Sequence, residues 1–406
     1  MILRFVSAAL AAAAVLAVPA AQGDDAALVA GNTAFAVDLY RVLAQEPGNL
    51  FCSPLSVSTA LGMTYAGARS QTEADMAAAL RFGLPQERLH LAFAELRGRL
   101  AALEADGSIT LRTANGLWLE RTFPLLESYA SLVTSLYEAG LEPADFVGAA
   151  EAARQEINAW VEGRTEGKIA ELIPSGAVDR LTVLVLVNAI YLKAAWAEPF
   201  EAHATSDAPF HVAAGVERPV PMMRRTATMA YGENDLAQVV ELPYRGGAVS
   251  MVVVLPRSTD GLAAVEAALS AESLAEWTSS LAPARVALSL PRFRVERSFS
   301  LKQALGALGM ASAFDPGQAD FTGMAKDGEI FISDVFHKAF VDVDEQGTEA
   351  AAATAVVMAR TSFEMPEKAV EFRADHPFLF LIRERETGAV LFIGRLVDPA
   401  AGGAGG

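Results

Sequence analysis

Histidines, the single cysteine and the hydroxyl residues are where catalysis or metal binding would have to come from. The histidines are His90, His203, His211, His337 and His376, and none stands at metal-ligand spacing from another or from Cys52. Neither H-E-x-x-H nor G-x-S-x-G occurs. A Ser/His/Asp triad is assembled from positions distant in the chain, and nothing here marks one. Gly163-Arg164-Thr165-Glu166-Gly167-Lys168 imitates a phosphate loop, but it has one residue too few between its glycines and no strand before it. The sequence therefore argues against an enzyme, and it implies no metal and no cofactor. An isolated histidine such as His337 reads as a hydrogen-bonded structural residue. Cys52, between Phe51 and Ser53-Pro54, reads as packing, and a lone cysteine excludes intramolecular disulfides.

The stretch from His337 to Ser362, HKAFVDVDEQGTEAAAATAVVMARTS, has a different kind of potential. Ala339, Val341 and Val343 alternate with Phe340, Asp342 and Asp344, the pattern of a half-buried strand. Glu345, Gln346 and Gly347 interrupt it, and Gly347 permits a sharp change of direction. Thr348, Glu349 and the alanines Ala350, Ala351, Ala352 and Ala353 follow. Alanine propensity favours a helix, whereas Thr354, Val356 and Val357 favour a pleated surface. As a strand, Thr348, Ala350, Ala352, Thr354 and Val356 share one small, uncharged face, and Glu349 falls on the other. Such a segment can lie outside as a loop or enter a crowded sheet without overpacking.

Other elements must hold that stretch. Val29 to Leu43 has helical spacing and ends at Pro47-Gly48. Asn49-Leu50-Phe51 is extended, and Ser53-Pro54 opens a second helix with Ser as N-cap and Pro at the first helical position. Thr72 to Leu80, with a Thr72-x-x-Asp75 capping pattern, and Pro85 to Leu103 read as helices. Ile109 to Leu119 alternates as a strand. Leu181 to Leu192 reads as a strand buried on both faces. Asn188 within it needs partners, since an unpaired buried amide costs about 1–3 kcal/mol. Val239 to Pro256 has the outline of a hairpin turning at Arg245-Gly246-Gly247, Val286 to Val295 alternates as one strand, and Leu301 to Met310 is a short helix. Phe378 to Gly394 forms a last hairpin that turns at Glu386-Thr387-Gly388.

Several of these segments, in order, resemble the serpins, the serine protease inhibitor superfamily. EQGTEAAAATAVV is similar to the hinge of their reactive loop, NLFCSPLSVSTALGMTYAGA to their second helix, VNAIYLKAAWAEPF to the strand beside the loop-insertion gap, and FRADHPFLFLIRERETGAVLFIGRLVDP to their C-terminal hairpin. Ala194 departs from the family, which usually has Gly there. The resemblance covers about Asn32 to Pro399. It implies an α+β serpin fold of about nine helices packed around three β-sheets, with an exposed reactive loop at about 345–366. It also implies a hinge of Glu345, Gly347, Thr348, Glu349 and Ala350 to Ala353, and a sheet-opening region of Ser53, Ser56, Asn188, Trp196 and His337.

The implied activity is suicide inhibition: a serine protease cuts the loop, becomes acylated, and is trapped as the freed hinge inserts. Counting from Glu345 puts the cut at Thr361-Ser362. Arg360 makes Arg360-Thr361 an equal alternative, since Arg fills the acidic pocket of trypsin-like proteases. Thr361 at the bond suits elastase- or subtilisin-like enzymes, and Met358 is a third choice. The other readings are a non-inhibitory serpin-fold binding or chaperone protein and an inhibitor of cysteine proteases. Members without inhibition tend to carry bulky or charged hinge residues, and after Glu349 this hinge has none.

With 406 residues, 52% hydrophobic and a net charge of −17, the chain can bury a large core and gives nucleic acid little to bind. No second long apolar segment follows the first, so no membrane partner is expected, and a monomer is. Residues 1–21 have the basic start, apolar core and small-residue cleavage site of a signal peptide. Secretion, or a periplasmic location, and weakly a bacterial source are expected from them. One domain is expected over 22–399 and a flexible tail over 400–406.

Overall fold

The computed structural model describes residues 23–138, 140–325, 329–348 and 368–402. Chain order begins with helix α1 (Asp24–Leu43), strand β1 (Leu50–Cys52), α2 (Pro54–Tyr65), α3 (Ser70–Ala79), α4 (Gln86–Ala105) and β2 (Thr110–Glu120). It continues with α5 (Glu127–Tyr137), β3 (Gly140–Ala144), α6 (Phe146–Arg164), β4 (Leu184–Ala195), β5 (Ser206–Ala213) and β6 (Val216–Glu233). Next come β7 (Ala237–Pro243), β8 (Val249–Pro256), α7 (Leu262–Ala268), α8 (Ala271–Ser279), β9 (Ala282–Pro291), β10 (Phe293–Ser300) and α9 (Lys302–Leu305). The last strands are β11 (Ile332–Val343), β12 (Gly347–Thr348), β13 (Val370–Arg373), β14 (Phe378–Glu384) and β15 (Val390–Leu396).

The described strands form two hydrogen-bonded networks. One runs β10-β11-β12-β4-β2-β3, with β11 also paired directly to β4. The other runs β1-β15-β14-β8-β7-β6-β9-β13, with β5 on β6. The long β6 joins what were expected as separate second and third sheets, because its 18 residues pair in turn with β5, β9 and β7. The fold is the expected α+β arrangement, with nine α-helices among the described residues.

Sequence explains most of these boundaries. Ser53 caps α2, its side chain accepting from the Ser56 N–H, with Pro54 in the first turn. Helix α1 is long and apolar enough to cross a membrane, yet Phe35, Leu39 and Tyr40 on it are buried in the main core. Helix α6 lies across the smaller sheet, and its Ile157 and Val161 pack with Val185, Val187 and Tyr191 of β4 in a second core cluster.

Four expectations are corrected. Thr72 is inside α3, which starts at Ser70, and its hydroxyl accepts from the Asp320 N–H at 2.9 Å instead of capping. Val286 to Val295 is two strands, broken after Pro291, a residue that cannot donate to a ladder. Leu181 is 69% exposed, and β4 starts three residues later. The stretch Phe336 to Val341 of β11 is buried on both faces, because helix α6 covers one side and the main core the other.

Candidate functional site

Strands β4 and β11 run parallel as neighbours, from Leu184 opposite Ile332 to Tyr191 opposite Phe340. In the middle of this seam Asn188 stands beside His337, and Asn115 of β2 is the partner of Asn188 on the other side. The start of α2 packs beneath them. The Ser53 N–H donates to His337 Nε2 at 3.0 Å, and the His337 Nδ1 lies 2.6 Å from Asn188 Oδ1. A ring nitrogen that accepts from an amide carries no proton, so the proton is on Nδ1 and is donated to Asn188. Asn188 Nδ2 donates to Ser56 Oγ at 2.5 Å and to Asn115 Oδ1. Ser53 Oγ donates to the Leu391 carbonyl at 2.7 Å, which ties the cluster to β15 of the larger sheet.

The expected group Ser53, Ser56, Asn188 and His337 is thus one buried hydrogen-bonded unit. Phe299 of β10 stacks on His337 with ring centroids 6.1 Å apart. Burial pushes the His337 pKa down to about 4, against a smaller upward pull from the hydrogen bond to Asn188. Protonation would put two N–H groups face to face at Ser53, so the unit is built for a neutral ring. Burial also pushes the Cys52 thiol up to about 12, as suits a packing residue.

Trp196 is not part of this unit. It follows β4, about where the seam is opened by β12. There Gly347 pairs with Ala195, Thr348 pairs with Ala194, and Thr348 pairs on its other side with Val343 of β11. The hinge was expected wholly outside the sheet. Its first two strand residues are already between β4 and β11. Asp344 makes the turn: its carboxylate accepts from the Gln346 and Gly347 N–H groups at 2.7 and 3.1 Å. Trp196 holds that turn, its backbone N–H donating to the Gln346 carbonyl at 2.8 Å and its indole N–H to the Asp344 carbonyl at 3.0 Å. The Trp196 ring stacks on Tyr244 with centroids 4.6 Å apart, and the Tyr244 hydroxyl is 2.7 Å from that of buried Thr348.

Gly347 has φ +152, and a Cβ there would lie 2.1 Å from the Ala194 carbonyl oxygen, so only glycine lets the turn close against β4. The departure at Ala194 leaves this contact intact, since it is the carbonyl that faces Gly347. Glu345 anchors the turn from outside. Its carboxylate accepts from Thr205 Oγ1 at 2.5 Å and Arg292 Nε at 2.8 Å. Burial alone would raise its pKa, but Arg292 and Thr205 more than offset this and hold the carboxyl below its ordinary range.

Glu349, Ala350, Ala351, Ala352 and Ala353, the residues Arg360, Thr361 and Ser362, and residues 1–21 lie outside the described residues. Asn115, Tyr244, Arg292 and Thr205 belong to the site without having been singled out in the sequence. Pro291 was the available signal for Arg292, since a proline ends a ladder and frees the next side chain. Among the described residues no group of His, Cys, Asp and Glu is placed to hold a metal.

The chain is similar over residues 30–399 to the family described as Serpin (serine protease inhibitor). It is 42% identical over 382 residues to the leukocyte elastase inhibitor A of Mus musculus, covering 92% of this chain and 99% of that protein. It is 42% identical over 387 residues to the leukocyte elastase inhibitor of Homo sapiens, with the same shares covered. Its fold matches uncleaved ovalbumin with a TM-score of 0.85 at 32% identity, over 92% of this chain and 100% of that one. These relatives overturn the expected secreted, extracellular or periplasmic location. They match it along 99% of their own length, with the family match starting at residue 30, so the kinship supports no export. An apolar, alanine-rich start is a matter of composition alone. Both relatives are mammalian, and a bacterial source has no support from them.

Proposed function

The chain belongs to the serpin family of serine protease inhibitors and is not an enzyme, and we propose that it acts as a suicide inhibitor through the seam between β4 and β11. The observation that carries this reading is the position of Gly347 and Thr348, which already pair with β4, Thr348 pairing with β11 as well. The target's serine attacks a bond in the loop and forms an acyl-enzyme. Cutting frees the hinge from the constraint of the distal chain. The small face of Thr348, Ala350 and Ala352 then continues the ladder that β12 has begun, separating β4 from β11 past Asn188 and His337. The protease is carried along the sheet and distorted before it can deacylate.

The uncleaved fold is in this reading a kinetic trap, stable because the seam is closed. The target is an elastase-like serine protease, in keeping with the leukocyte elastase inhibitors. Thr361 fits that specificity, and Arg360 would add trypsin-like enzymes. The cut lies at Arg360-Thr361 or Thr361-Ser362. The test is to mix the protein with an elastase, trypsin and subtilisin, and to combine denaturing gels with mass spectrometry of the released peptide. A covalent band near the summed mass supports suicide inhibition, and a peptide starting at Thr361 or Ser362 fixes the bond. Clean cleavage without a covalent band from all three enzymes would refute it and favour a non-inhibitory binding role.

A further inference from the structure

An open groove of about 560 Å³ crosses β6, β9 and β13. That is within the range of about 300 to 1,000 Å³ in which small molecules are held. The strand register sets three side chains in one row across it. Ser289 of β9 pairs with Arg224 of β6 on one side and with Arg373 of β13 on the other. Directly paired residues face the same way, and the alternate residues Leu288, Leu290 and Phe372 are the buried ones. The row therefore lies on the open face. Neighbouring strands are about 4.8 Å apart, so the two arginines start about 10 Å apart with a hydroxyl between them. Their long side chains can converge over it.

The charges in the groove do not cancel. Glu371 is taken up by Arg373, and Asp375 Oδ1 lies 2.9 Å from His376 Nδ1. Arg224 has no carboxylate partner among the described residues; its Nη1 donates to Ser206 Oγ at 2.6 Å. Arg225 turns to the other face of β6, where its guanidinium lies 4.9 Å from the centre of the Phe200 ring and its buried Nε has no hydrogen-bond partner. Its nearest carboxylate is that of the exposed Glu198, at 3.8 Å. A surplus cation therefore stands in this groove, in a chain whose net charge is −17.

We propose that this groove binds a phosphate monoester, its dianion held between Arg224 and Arg373 over the Ser289 hydroxyl. Guanidinium forks match phosphate oxygens two at a time, and a tetrahedral anion can serve both forks and the hydroxyl at once. A planar carboxylate fills one fork only. The rest of the groove leaves room for the esterified group. Strand β13 has four residues and pairs only with β9 among the described residues. A dianion shared by Arg373 and Arg224 ties it across β9 to β6, and so steadies the strand that follows the reactive loop. The site stands independently of the inhibitory reading.

The experiment is calorimetric titration of the full chain, at constant ionic strength, with glycerol 3-phosphate, inorganic phosphate and acetate. Glycerol 3-phosphate binds saturably, at least as tightly as inorganic phosphate and at least about tenfold more tightly than acetate. Arg224→Gln and Arg373→Gln each weaken it at least about tenfold. The Arg373 side chain is 60% exposed, so its variant tests the site even if Arg224→Gln lowers the melting midpoint. Glu371→Gln frees Arg373 and tightens binding. Arg285→Gln, an exposed change on the same face of β9 four residues away, leaves it unchanged. Absence of saturable heat overturns the site, and so does an equal loss in Arg285→Gln, which would mean general charge attraction. Acetate binding as tightly refutes the tetrahedral anion, and inorganic phosphate binding more tightly refutes the monoester. Hydrogen exchange at Val370–Arg373 slows when glycerol 3-phosphate is bound; unchanged exchange would overturn the tie between β13 and β6.

Discussion

The middle and the top of the β4–β11 seam are held by opposite chemistry. In the middle, Ser53, Ser56, Asn115, Asn188 and His337 are neutral and hydrogen-bonded to one another, and His337 and Asn188 are fully buried. At the top, Glu345 is held by Thr205 and by Arg292, whose side chain is 45% exposed, and the turn behind it is fastened by two hydrogen bonds from Trp196, with one from Tyr244 to Thr348. A buried neutral network is costly to break, because each orphaned group loses about 1–3 kcal/mol. A half-exposed ion pair is worth about 1 kcal/mol or less. The seam is thus closed more firmly in its middle than at its top, which on the proposed mechanism is where the hinge would enter first.

The largest effect expected is from Thr348→Arg. Thr348 is fully buried against Tyr244, and a charge there has no partner. The variant is expected to be cut as a substrate with no covalent complex on a denaturing gel. Retention of normal inhibition would mean that Thr348 does not enter the seam. His337→Phe is next. It strands the Ser53 N–H and the Asn188 side-chain oxygen Oδ1, and should lower unfolding free energy by about 2–6 kcal/mol in urea titrations.

The pH dependence separates the two regions directly. The His337 pKa is about 4 in the folded chain and about 6.5 unfolded, so below pH 6.5 the unfolded state binds more protons. Roughly 3 kcal/mol of stability is then present above pH 6.5 and lost as pH falls to about 4. The urea midpoint should fall over that window in the wild type and stay flatter in His337→Phe. Glu345 acts lower: its depressed pKa contributes stability above the ordinary carboxylate value, lost as pH falls through the folded one. The smallest effect is from Glu345→Gln, about 1 kcal/mol after allowing for the exposure of Arg292. It should speed insertion of a synthetic hinge peptide, measured by native gel shift, more than it lowers global stability.

What the sequence shows and hides follows from distance along the chain. Ser53 and Pro54 write the start of α2 within two residues, and an Asn inside an apolar strand announces that Asn188 has partners. The small residues after Gly347 similarly advertise a segment able to enter a sheet. The identity of the partners is not local. Asn115 is 73 residues from Asn188, and Tyr244 is 104 from Thr348. Arg292 is 53 residues from Glu345 and was hidden inside what alternation made a single strand. Nor does periodicity reveal that two hinge residues already pair with β4, since that depends on the turn Asp344 makes and on the Ala194 carbonyl against Gly347.

The central claim, that the seam between β4 and β11 is a trapped closure awaiting a strand, is tested most directly by thermal unfolding before and after a single cut between Met358 and Ser362. If the freed hinge enters the seam, the midpoint rises well above that of the intact chain. A midpoint that is unchanged or lower after a complete cut would contradict it.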